Sequence, residues 1–86
     1  MCFNNRIRDQ IYNIIEENTG KDESINLKET FEDIGIGSVT FIKIMVEIEM
    51  YYDIELDENY YINDNYANIE SFINTLSKCV SKYKKN

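Results

Sequence analysis

The stretch FEDIGIGSVTFIKIMVEIEMYYDIEL, residues 31–56, decides the fold. Gly35 and Gly37 bracket Ile36 and leave room for a tight turn with positive φ angles. Directly after the turn comes Ser38, followed by an apolar-periodic run to about Tyr52. Placing each residue about 100° after the last puts Phe41, Ile44, Met45, Ile48 and Tyr52 on one arc, the normal core face of a helix. Val39, Ile42, Val46 and Met50 fall on a second arc, leaving Thr40, Lys43 and Glu47 as the polar wedge. A small domain cannot easily bury both apolar faces, so the second arc reads as a partner site.

Outward from this helix the pattern repeats. Phe3, Ile7, Ile11, Ile14 and Ile15 share one side of a first helix that ends near Asn18, with Thr19-Gly20 as its stop. Ile69, Phe72, Ile73, Leu76, Val80 and Tyr83 form the stripe of a last helix, with Asn68 placed to cap it. Residues 21–37 make a long connection, pinned to the core by Ile25, Leu27, Phe31 and Ile34. After Asp53 the chain reads as a short extended piece and one helical turn around Asn59 to Ile62. The expected architecture is an all-α four-helix bundle: three long helices, a short third helix and a long first loop.

The 86 residues, 43% hydrophobic, suffice for one core, so residues 1–86 are expected to form a single domain with a basic tail at 78–86. Residues 1–77 hold five basic and sixteen acidic side chains, and the other four lysines close the chain. An acidic body repels phosphate backbones, which argues against nucleic acid and for protein partners with basic patches. No apolar run has the length of a membrane span, and MCFNNRIRDQ lacks the order of a secretory signal. Cys2 and Cys79 read as ordinary thiols, and the protein is expected to be a cytoplasmic monomer.

Catalytic readings fail for want of parts. Ser38 as a nucleophile needs a base, and the chain has no histidine. Asp53–Asp57 resembles the start of a calcium loop, but the sixth position is Glu58 where glycine belongs and the twelfth is Asp64 where a bidentate glutamate belongs. No metal site is therefore expected. Glu47 and Glu49, two apart on a helix, point in different directions and read as surface charge. One non-catalytic reading needs only Ser38 as a helix N-cap, in an acidic helical protein-interaction module.

The run Phe31-Glu32-Asp33-Ile34-Gly35-Ile36-Gly37-Ser38-Val39, followed by Ile42, Ile48, Glu49, Tyr52, Asp53, Ile54, Glu55 and Leu56, resembles the acyl and peptidyl carrier protein pattern. That pattern places an acidic residue, an aliphatic residue, Gly, any residue, Asp or His, then Ser and an aliphatic residue before a helix ending in Glu-x-x-aromatic. The resemblance covers essentially the whole chain. It implies that Ser38 accepts a 4'-phosphopantetheine arm from a phosphopantetheinyl transferase using coenzyme A. The arm's thiol, and not Cys2 or Cys79, would hold an acyl, aminoacyl or peptidyl group for fatty-acid, polyketide or nonribosomal-peptide biosynthesis, and the protein itself would catalyse nothing.

The resemblance further implies loading and condensing enzymes with basic docking patches as partners. They would dock on Val39, Ile42 and Val46 with Asp33, Glu47 and Glu49 as the acidic flank. Two positions depart from the pattern. Gly37 stands where Asp or His is usual, and Lys43 where fatty-acid carriers are commonly acidic. Residues 58–66 are similar to free-standing carriers of amino-acid or secondary-metabolite pathways at least as much as to fatty-acid ones.

Overall fold

A computed structural model describes residues 5–19, 25–62 and 65–84. Phe3, Cys2 and Gly20, which figure in the sequence reading, lie outside these residues. Among the described residues there are three α-helices, α1 (Asn5–Thr19), α2 (Ser38–Tyr52) and α3 (Ile69–Lys84), with a short 3-10 turn at Glu58–Tyr61 between the last two. The protein is a small helical bundle in which α1 packs against both α2 and α3, and the 3-10 turn packs against α2.

The helical period decides which residues meet. Ile7, Ile11, Ile14 and Ile15 of α1, Phe41, Ile44, Met45 and Ile48 of α2, and Ile69, Phe72, Ile73, Leu76 and Val80 of α3 form one buried cluster. Fully burying an aliphatic or aromatic side chain of this size is worth about 1.5–3 kcal/mol, so these faces hold the helices together. The loop joins the same cluster through Phe31, Ile34 and Ile36, with Ile25 and Leu27 packed at its edge.

The loop also closes the start of α3. The Ile69 and Glu70 N–H groups donate to the carbonyls of Glu29 (2.9 Å) and Leu27 (3.0 Å). Asn68 Oδ1 accepts the Ser71 N–H at 2.9 Å. All three donors of the first turn, which no helix can satisfy internally, thereby find partners.

The end of α2 is organised by Glu49, and here the surface-charge reading is corrected. Asp53 takes the left-handed conformation (φ 57°), and its N–H returns to the Glu49 carbonyl. Ile54 donates to the same carbonyl at 3.0 Å. The Glu49 carboxylate is half-buried and accepts the Leu56 N–H at 2.8 Å and the Tyr61 hydroxyl at 2.5 Å. A carboxylate that accepts two directed donors ties the chain after α2 back onto its own helix.

Among the described residues, the expected short third helix is the 3-10 turn at Glu58–Tyr61. The Asn59 carbonyl accepts Asn65 Nδ2 (3.0 Å) and the Tyr60 carbonyl accepts the Tyr66 hydroxyl (2.9 Å). Carbonyls engaged by side chains are not extended into further helical turns.

Burial first, and then the bond to Glu49, push the Tyr61 phenol up to about 12 from 10.0. The fold thus favours the protonated phenol. Its contribution to stability is complete below about pH 10 and is lost as pH rises through about 12. Denaturant titrations across this range should show stability falling with pH, with a shallower fall in Tyr61→Phe. An unchanged slope in that variant would contradict the coupling.

Candidate functional site

The site begins with a single turn in the loop. Thr30 N–H donates to Asp33 Oδ2 and Asp33 N–H to Thr30 Oγ1, both at 3.1 Å, which fixes the entry. Gly35 N–H then donates to the Glu32 carbonyl (3.0 Å) and Ile36 N–H to the Phe31 carbonyl (2.9 Å). This pair of bonds around a residue with φ 82° is the Schellman closure, for which glycine is the favoured residue. Its accompanying apolar partners, Phe31 and Ile36, are both buried.

Gly37 behaves otherwise than the turn chemistry predicts. Its φ of −85° and ψ of −176° are extended backbone that any residue adopts, and a Cβ added there would meet nothing within 4 Å. The positive φ is confined to Gly35 of the pair. Aspartate or histidine would therefore fit at position 37 without moving the turn.

Gly37 is also the N-cap of α2, since its carbonyl accepts the Phe41 N–H at 2.9 Å. Ser38 is the first residue inside the helix and does not cap it, which corrects the N-cap reading. Its side chain is exposed and has no hydrogen-bond partner among the described residues. The N–H groups of Ser38, Val39 and Thr40 precede the first intrahelical bond, and no acidic side chain sits in the first turn. A free hydroxyl thus stands in the partial positive field of a helix start, a setting that suits a phosphate ester.

The apolar arc of α2 is on the surface. Val39 is 81% exposed, Ile42 47%, Val46 39% and Met50 75%, so the stripe starts beside Ser38 and runs the length of the helix. Tyr51, also exposed, extends it at the far end.

The acidic residues expected beside the stripe are each engaged by the chain itself. Asp33 is exposed and holds the Thr30 turn. Glu47 is half-buried and accepts Asn18 Nδ2 from α1 at 2.9 Å. Glu49 closes the end of α2. Of the six residues read as partner-facing, Val39, Ile42 and Val46 form a continuous exposed set, while Glu49 belongs to the fold.

Sequence reasoning missed the burial of Ile36, whose signal was an aliphatic residue held between two glycines. Among the described residues no three carboxylates, histidines or cysteines come together as metal ligands. Cys79 is a half-buried thiol on α3.

Replacing Gly35 by alanine should cost about 1 kcal/mol or more in denaturant unfolding, because L side chains rarely adopt its backbone angle. Gly37→Ala should change stability by no more than about 0.5 kcal/mol. Equal losses at the two positions would contradict the assigned turn.

Comparison with curated proteins and with solved structures gives no match. The family model described as phosphopantetheine attachment site matches residues 9–76, which span α2 whole, the turn before it, most of α1 and the first half of α3. An exposed hydroxyl at a helix start, with open space around the glycines before it, fits such an arm. The chain belongs to the phosphopantetheine-attachment family and is a carrier of 4'-phosphopantetheine.

Proposed function

We propose that Ser38 is the residue that takes the arm, and that the protein ferries acyl, aminoacyl or peptidyl intermediates between enzymes of a fatty-acid, polyketide or nonribosomal-peptide type of pathway. The observation that carries this reading is the free, exposed Ser38 hydroxyl on the first turn of α2, held out between the buried side chains of Ile36 and Phe41. In this reading the bundle is of the acyl-carrier type, with the turn at Glu58–Tyr61 in the place of a third helix.

In attachment, Ser38 Oγ forms a phosphodiester with the phosphate that carries the pantetheine of coenzyme A. The bond to the second phosphate breaks, and adenosine 3',5'-bisphosphate leaves. The serine proton passes to a base of the transferase, because this chain has no histidine to receive it. Once bound, the arm supplies a terminal thiol on which cargo is held as a thioester. The unpaired N–H groups of Ser38, Val39 and Thr40 at the helix start would favour the phosphodiester's charge, and the first turn carries no carboxylate to repel it.

Partners would reach Ser38 over the stripe of Val39, Ile42 and Val46, with Asp33 and Glu47 on its acidic flank. A small apolar contact inside a charged rim forms quickly and releases quickly, as a shuttling monomeric carrier requires. Lys43, exposed on the same helix, interrupts the acidic flank at a position where the resemblance leads one to expect an acidic residue in fatty-acid carriers.

Co-expression with a broad-specificity phosphopantetheinyl transferase, followed by intact mass, should add one phosphopantetheinyl group to the wild type and none to Ser38→Ala. A wild type of unchanged mass, or a Ser38→Ala variant that still gains the group, would refute the assignment.

A further inference from the structure

We infer that aromatic side chains seal the seam between α2 and α3, so that cargo stays outside the bundle and belongs to the class of short or polar acyl and aminoacyl groups. The inference rests on Ser38 as the attachment point and names the cargo class for that site.

At the Ser38 end of the seam four rings interlock. Phe41 lies one turn after Ser38, Phe31 comes from the loop, Phe72 from the first turn of α3, and Tyr66 from the segment before it. Phe31 meets Phe41 edge-on at 5.1 Å and Phe72 at 4.9 Å. Phe72 meets Phe41 at 5.6 Å and Tyr66 at 5.0 Å. Edge-to-face contacts of this kind are directional, so a chain entering here must part several at once.

The other end is closed by the 3-10 turn. Tyr61 donates to Glu49 on α2, and the Tyr66 hydroxyl donates to the Tyr60 carbonyl, which joins the turn to the ring cluster. Beneath it Ile48, Leu56, Ile73 and Leu76 are buried with no more than 9% exposure.

Two recesses of about 450 and 340 Å³ open at the far end of α2. Glu49, Glu55 and Asp57 line the first, while the second lies between α1 and α2, with Ile14, Met50 and Tyr51 beside Glu17 and Glu47. An alkyl chain placed in the first would strip water from carboxylates, and one placed in the second would lie outside the seam between α2 and α3.

Methylenes inserted into a filled core force side chains off their rotamers and shift backbone. Parting the rings forfeits their edge-to-face contacts as well. A long alkyl chain gains no shelter here, whereas a short or polar group needs none.

The test loads the chain with butyryl, octanoyl or dodecanoyl pantetheine, using the corresponding acyl-coenzyme A and a broad-specificity transferase, with loading checked by mass. Melting temperature should be the same for all three, and NMR shift changes should stay on exposed Val39, Ile42 and Val46. Melting that climbs with chain length, with shifts at Phe72, Ile73 and Leu76, overturns the inference. In Tyr66→Ala, which opens the seam, melting should instead climb with chain length, and a flat series there overturns the assignment of the seal to the rings. A chain that takes no arm, seen by mass before any melting, overturns the Ser38 reading itself.

Discussion

The burial of Ile36 is the constraint on which the site depends. It is 2% exposed, yet the residues on either side of it, Gly35 and Gly37, are exposed, and so is Ser38. Anchoring an isoleucine is worth about 1.5–3 kcal/mol, which offsets much of the cost of ordering a glycine on each side. The Schellman closure at Gly35 turns the chain so that Ile36 points inward, and the extended Gly37 then starts α2. Phe41, one turn on, is buried as well. Ser38 is therefore held outward from both sides by groups that do not touch it chemically, which leaves its hydroxyl free.

The same economy governs α2. One face supplies Phe41, Ile44, Met45 and Ile48 to the core, and the opposite face spends apolar residues on solvent. A helix exposed in this way loses some of the stabilisation burial would bring, and the bundle compensates with directed contacts elsewhere. The Glu49 clamp and the loop carbonyls at the start of α3 hold the surrounding segments by hydrogen bonds, where apolar area is short.

Much of this was legible in the sequence because it follows from periodicity. The 3.6-residue spacing located all three helices, separated the two apolar arcs of α2 and selected Asn68 as the cap of α3. What periodicity cannot carry was misread. Gly37 and Gly35 look alike in a sequence, and only the hydrogen bonds of the turn decide which one takes the positive φ. Ser38 has the composition of a cap, but the cap is whichever residue accepts the first helical bond, and that is Gly37. Glu49 is an ordinary helical carboxylate until the chain after Asp53 folds back to place Leu56 and Tyr61 against it.

The most direct test compares the rate of arm transfer in two core variants, Ile36→Ala beside the site and Val80→Ala far along α3, under conditions where circular dichroism shows both folded. If Ile36 positions Ser38, its variant loses kcat/KM for arm transfer beyond what its loss of stability explains, while Val80→Ala keeps the wild-type rate. Equal rates in the two variants would contradict the anchor.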